Sequence, residues 1–166
     1  MKKLPIAVAL LALVITGCRE NYLAEKAFFQ ANKTLKSVST ADFEANPEQA
    51  LAPSIEAFRK VVEKYPTSMK AVESLFAISE LQVKQKKFDE ARATLSKVIP
   101  DFTGRGNWAS EARYRIAQLY EAEKRWDRAE EAYWETAEYH PAQQKGLYAP
   151  LYLLNRYKQL KDTAKE

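Results

Sequence analysis

The sequence predicts an all-α chain of helical hairpins repeated along its length, and three observations carry that reading. Glycine occurs only at Gly17, Gly104, Gly106 and Gly146 in 166 residues, so the long stretches between them lack the turn signals of β-hairpins. The phrase Lys86-Lys87-Phe88-Asp89-Glu90-Ala91 returns as Lys124-Arg125-Trp126-Asp127-Arg128-Ala129, 38 positions on. Repetition at such a period is the signature of stacked supersecondary units. After each alanine the residues at offsets of four and seven are Leu95 and Val98 in one copy, Tyr133 and Thr136 in the other. Those offsets share one face of an α-helix.

The first element is an apolar run. Lys2 and Lys3 precede Leu4 to Ile15, a stretch of about a dozen apolar residues, and charge resumes at Arg19 and Glu20. Crossing a bilayer takes about 20 such residues, so the run has the length of a signal-peptide core. Ile15-Thr16-Gly17-Cys18 resembles the bacterial lipobox: an aliphatic residue, two small residues and a cysteine that is lipidated and becomes the first residue of the mature chain. The resemblance implies a lipoprotein signal peptide over residues 1–17 and a covalent lipid, a diacylglycerol with a further chain of the palmitate kind, on Cys18. Two or more acyl chains make such an anchor firm. The other reading is a generic secretory signal cut near Gly17 that leaves a free thiol. Cys18 is the only cysteine, and a secreted chain has little use for one unpaired thiol. Arg19, where lipoproteins held at the inner membrane often carry Asp, points to the outer membrane and its periplasmic face.

Charge by itself says little, because the mature chain is nearly balanced. Without Lys2 and Lys3 the chain keeps 24 basic residues against 22 acidic ones, with the signs interleaved. No basic stripe of the nucleic-acid kind stands out, so no nucleic-acid partner is expected.

Residues 18–49 are expected to hold the lipidated Cys18, an N-terminal helix and an irregular connection. The helix covers residues 20–38, with Tyr22, Leu23, Ala27, Phe28, Ala31 and Leu35 on or near one side, and could open an atypical hairpin. The connection, Ser39 to Pro53, has two prolines and several polar residues. Residues 50–166 are the repeat domain. A further copy of the repeat has Ser54 in the place of Ala91 and Ala129 and continues through Phe58 and Val61. Upstream of each small residue runs a second amphipathic segment: Leu75, Ile78 and Ser79 before Ala91, then Arg113, Ile116, Ala117 and Tyr120 before Ala129. Pro66, Pro100 and Pro141 end the second helices, because the ring removes a donor and clashes with the preceding turn. Asp89 and Asp127 are expected to cap those helices, with Phe88 and Trp126 plugging the turns. Tyr148 to Leu160 supplies a closing helix that caps the stack, with Pro150 expected in its first turn.

Ile116-Ala117, Tyr120, Ala129, Tyr133, Thr136 and Pro141 follow in order the pattern of the tetratricopeptide repeat, and Ile78-Ser79, Gln82, Ala91, Leu95 and Val98 resemble it in a second copy. Both copies lack the glycine usual at the hairpin turn. The resemblance covers roughly residues 50 to 160 and implies a right-handed solenoid of about three hairpins plus a C-terminal capping helix. It also implies a concave surface that binds a protein partner, placing Glu73, Phe76, Glu80, Glu111, Tyr114, Gln118, Glu121, Tyr148, Leu151 and Asn155 towards that groove. Trp108 and Trp134 are further candidates, since aromatics are enriched at interface hot spots.

A catalytic reading finds little to stand on. His140 is the only histidine and precedes Pro141, so a metal cluster or nucleophile relay has no second imidazole; a capping or surface role is expected. The pairs Glu130-Glu131 and Glu121 with Glu123 are expected to be solvated. Gly104-Arg105-Gly106-Asn107 has no preceding strand and no lysine in the phosphate-binding place, and reads as a loop inserted between repeats. No catalytic residue, metal ligand or cofactor is assigned beyond the lipid on Cys18. The expected function is a non-enzymatic, lipid-anchored periplasmic scaffold for envelope proteins, similar in plan to the tetratricopeptide lipoproteins of outer-membrane β-barrel assembly and of pilus secretin assembly. The alternatives are a coordinator of cell-wall synthesis or envelope constriction, an anchored cell-wall enzyme, and a structural lipoprotein bridging membrane and wall.

Overall fold

The computed structural model describes the backbone of residues 6–101 and 106–160, with side chains for 19–100 and 106–159. The described residues form helices and no strand, in the order α1 (Ile6–Lys36), α2 (Thr40–Ala45), α3 (Pro47–Lys64), α4 (Met69–Lys84), α5 (Phe88–Ser96), α6 (Val98–Asp101), α7 (Trp108–Ala122), α8 (Trp126–Tyr139) and α9 (Gln144–Leu160). They make two compact units, one ending at Leu81 and one starting at Gln82. No helix among the described residues is long and apolar enough to cross a membrane.

In the first unit α1 packs along α3. Ala24 and Ala31 of α1 and Leu51, Ile55, Phe58 and Val61 of α3 are buried together, with Ile78 and Leu81 of α4 in the same cluster. Small residues on α1 let the helices approach, and Phe28 fills the remaining space against Phe58, with ring centroids 5.5 Å apart. Tyr22 departs from its predicted side, being 67% exposed. The segment expected to be irregular is largely helical. Ser39 caps α2 by accepting from the Asp42 amide at 3.0 Å, and Asn46 caps α3 by accepting from the Gln49 amide at 3.1 Å. Pro47 opens α3 in the first turn, where its missing donor costs nothing. The polar residues and proline that read as a loop are therefore helix-start signals set back to back. Ser54 is fully buried, as its place in the repeat requires, though its hydroxyl has no partner.

Tyr65 and Pro66 end α3. Ser68 then accepts from the Ala71 amide at 3.1 Å and so caps α4. The same break follows α8, where His140 has φ −134° and ψ 49° against −133° and 54° at Tyr65. Both residues precede a proline, which pushes the backbone out of the helical region.

In the second unit α7, α8 and α9 bury Tyr114, Ala117, Ala129, Ala132, Tyr133, Ala149, Leu153 and Tyr157 together. Proline positions differ from the expectation at two points. Pro100 does not end a helix but splits one: its ring cannot bond the carbonyl four residues back, so α5 stops at Ser96, Lys97 tightens into a turn through Thr94 O, and α6 carries Pro100. Pro150 lies beyond the first turn, because α9 starts at Gln144. That early start depends on Gly146. A β-carbon there would lie 1.8 Å from the His140 carbonyl oxygen, so only glycine allows α9 to begin against the end of α8.

The two hairpin turns repeat their geometry where glycine is absent. Lys86 has φ 60° and Lys124 φ 61°, the left-handed conformation glycine adopts without strain. Each turn carries the same pair of bonds. Lys86 N donates to Val83 O at 2.8 Å and Lys87 N to Gln82 O at 2.9 Å, while Lys124 N donates to Glu121 O at 2.8 Å and Arg125 N to Tyr120 O at 2.9 Å. This is the Schellman closure, which satisfies the last carbonyls of a helix. Helices α5 and α8 begin immediately, so Asp89 and Asp127 fall inside the first turn and make no side-chain cap. Their carboxylates instead oppose the positive helix end. A left-handed residue other than glycine costs about 1–2 kcal/mol, partly offset by the greater entropy glycine loses on folding. Lys86→Gly and Lys124→Gly are each expected to stabilise the chain by about 0.5–1 kcal/mol in guanidinium unfolding; a loss from both would contradict this account of the turns.

Candidate partner-binding surface

On α4, the residues expected in a groove are Glu73, Phe76 and Glu80. Glu73 is half-buried and bonded to Lys70 Nζ at 2.8 Å. Phe76 is buried, and Glu80 is exposed.

The second unit brings its predicted residues together around α7 and α9. Glu111, Tyr114, Gln118 and Glu121 follow one another by three or four positions, the spacing of one helix face. Lys145, in the first turn of α9, holds the near end. Its ammonium lies 3.5 Å from Glu111 and over the rings of Tyr114 and Tyr148, at 4.7 and 5.9 Å. Arg115 Nε donates to the same Glu111 at 2.8 Å. Tyr114 is buried at the centre, with its ring 5.1 Å from Tyr133, 5.8 Å from Tyr148 and 6.5 Å from Tyr152. At the far end the Glu121 carboxylate accepts from Tyr152 Oη at 2.7 Å and Tyr133 Oη at 3.0 Å. Gln118, Tyr148, Leu151 and Asn155 are exposed, Leu151 at 59%.

Burial pushes the Tyr114 hydroxyl far up, and the neighbouring Tyr148 and Tyr152 add to the effect. Burial does the same at Tyr133, with the Glu121 carboxylate next in importance, and at Tyr152, where the bond to Glu121 follows. These phenols stay protonated, and those of Tyr133 and Tyr152 donate to Glu121, which holds its carboxylate in place. The arrangement orients an aromatic and acidic surface. Glu121 is therefore not the solvated residue its charged neighbourhood suggested. Neither is Glu123, which receives Arg92 Nη1.

Arg92 is a buried guanidinium the sequence reading passed over. It bonds Asp89 and Glu123 and stacks over the Tyr120 ring at 4.3 Å. Burial opposes its charge, but the bonds to Glu123 and Asp89 outweigh that and raise its pKa. The ion pair joins α5 to the end of α7. Tyr152, Lys145 and Arg92 were missed because their roles depend on which helices meet. Tyr152, four residues after Tyr148, was the one visible signal.

His140 is the C-cap of α8 and is buried rather than at the surface; its Nε2 has no partner. Trp134 is half exposed and Trp108 partly buried. Residues 102–105 of the glycine loop lie outside the described residues, as does the side chain of Cys18. No group of residues suited to a metal ion occurs among the described residues.

Residues 73–100 and 111–142 match the family model described as tetratricopeptide repeat. These segments carry the two turns at Lys86 and Lys124. An all-α repeat fold of this kind is typically a non-catalytic scaffold, and such repeats point to protein–protein interaction. Comparison with curated proteins finds no match, and comparison with solved structures finds none.

Burial lowers the His140 pKa from its usual value, and the nearby Arg113 lowers it further. The unfolded chain then takes up this proton first as pH falls. The stabilisation is complete above the unfolded value of about 6.5 and is lost below it. The melting temperature is expected to fall as pH drops from about 7 towards 5.5, with a shallower fall in His140→Gln; identical slopes would remove His140 as the cause.

Proposed function

We propose that this chain is a lipid-anchored scaffold of the bacterial cell envelope, facing the periplasm from the outer membrane and binding envelope proteins through its helical repeats. The observation that carries the reading is the α7–α9 surface. Buried tyrosines and a fixed carboxylate hold it rigid, while Tyr148 and Leu151 stand exposed on its rim. Rigid aromatic and apolar anchors surrounded by polar groups are what a protein interface concentrates its energy in. The carboxylate of Glu121, held by tyrosine hydroxyls, favours a partner segment with basic and apolar residues.

The anchor rests on the sequence: a basic start, a short apolar run and the lone Cys18 after Ile15-Thr16-Gly17. A scaffold tethered in this way would present its surface close to the membrane, where outer-membrane protein insertion and secretion or pilus assembly take place.

The test is affinity capture from solubilised envelopes with the lipidated chain and with Tyr148→Ser/Leu151→Ser. Two hot-spot residues contribute about 2 kcal/mol or more, so the variant is expected to lose at least roughly 30-fold in affinity for the captured protein while melting at the same temperature. Equal capture by both chains would sink this assignment. In parallel, Cys18→Ala should fail to reach the mature mass and should carry no acyl chains; a mutant processed to the same mass as the parent would exclude lipidation.

A further inference from the structure

The outward face of α1 carries a pattern that neither the repeats nor the partner surface uses. Arg19, Tyr22, Lys26, Phe29, Lys33 and Lys36 follow one another by three or four positions and are all exposed. At 3.6 residues per turn they form a single stripe about 25 Å long. It lies opposite Ala24 and Ala31, which are buried against the rest of the unit. Four cations alternate with two aromatics, Tyr22 at 67% and Phe29 at 65% exposure. Of the acids of this segment, Glu20 lies on another face, while Glu25 borders the stripe between Tyr22 and Phe29, 4.0 Å from Lys70. Beside Phe29 a cleft of about 380 Å³ gathers Lys33 and Lys36 with Glu25 and with Lys70, whose ammonium is paired with Glu73 at 2.8 Å.

We infer that this face of α1 lies on a membrane surface and binds anionic phospholipid headgroups. Two features select a bilayer over other polyanions. Aromatics interleaved with lysine and arginine on one face are the composition of a helix that rests in the interface, with rings at the headgroup level and ammoniums on phosphate. The stripe also begins at Arg19, the residue after Cys18, so a mature chain that starts at Cys18 carries it from the point of attachment onward. A helix that is basic and aromatic on its outer face from its first mature turn has a bilayer surface as its complement along that face. The cleft at Lys33 and Lys36 would take one phosphate, and Phe29 would enter the acyl boundary beside it.

The inference deepens the anchored-scaffold reading without using the acyl chains, so it is tested on the mature chain, residues 18–166, carrying Cys18→Ser. Binding is measured to vesicles of phosphatidylcholine alone and of phosphatidylcholine mixed with phosphatidylglycerol. Affinity is expected to rise with the anionic lipid and to fall with added salt. Each lysine near the surface contributes about fivefold, so Lys26→Gln/Lys33→Gln/Lys36→Gln should lose on the order of 100-fold on the mixed vesicles and little on the neutral ones. Lys33→Gln alone should lose about fivefold and guards against misfolding of the triple variant. Tyr22→Ser/Phe29→Ser should weaken binding to both. Equal binding of the parent chain to the two vesicles overturns the inference, and so does an undiminished anionic increment in the lysine variants. Loss of the increment to millimolar inorganic phosphate at constant ionic strength would assign the cleft to a free anion and overturn it as well. If lipidation at Cys18 fails its own test, this result still stands or falls separately.

Discussion

Two helices of a hairpin can come no closer than the residue between them allows, and each repeat of this chain meets that limit with a small side chain. Ser54, Ala91 and Ala129 occupy the same place in three successive copies and are fully buried. In the second unit Ala129 shares its core with Ala117, so two alanines set the distance between α7 and α8. The tyrosines then fill what the alanines leave. Tyr133 lies one turn after Ala129, reaches Tyr114 on the facing helix, and carries its hydroxyl to Glu121. The partner surface is in this sense a product of the close approach: were α7 and α8 further apart, Glu121 would lose Tyr133, one of the two donors that fix it.

The turns enforce the same register from outside the core. Lys86 and Lys124 take a left-handed conformation whose strain the surrounding Schellman bonds hold in place. Positive charge at both positions also suits the negative end of the preceding helix. Lysine is therefore tolerated where the repeat pattern usually has glycine. Gly146 does the opposite work, since the His140 carbonyl leaves no room for a β-carbon. At these positions the chain has glycine where space is lacking and lysine where only torsion is strained.

These distinctions mark what could be read from the sequence. The repeat phrase, the small residues and the apolar ridges are local patterns, and Leu95, Val98, Tyr133 and Thr136 are all buried as their spacing implied. Helix boundaries were less legible, because a proline reads as a stop whether it ends a helix, as before Pro66, splits one, as at Pro100, or opens one, as at Pro47. Polar residues misled for a related reason: Ser39 and Asn46 are caps, and a cap looks like a loop until the helix after it is known. The surface around Tyr114 was visible in part. Helix spacing places Glu111, Tyr114 and Glu121 on one face of α7, but only the packing of α9 shows that Lys145 and Tyr152 close the two ends. Likewise the cations of α1 are scattered through a balanced composition and become a stripe only once its buried face is known.

The close approach at the small residues is tested most directly by guanidinium unfolding of the chain beside Ala129→Leu. A leucine at a fully buried alanine must force α7 and α8 apart or take a strained rotamer, which costs about 1–3 kcal/mol. A fall in stability of that size is the predicted result. An unchanged midpoint would show that the hairpin has room to spare, and would contradict the claim that small residues set its geometry.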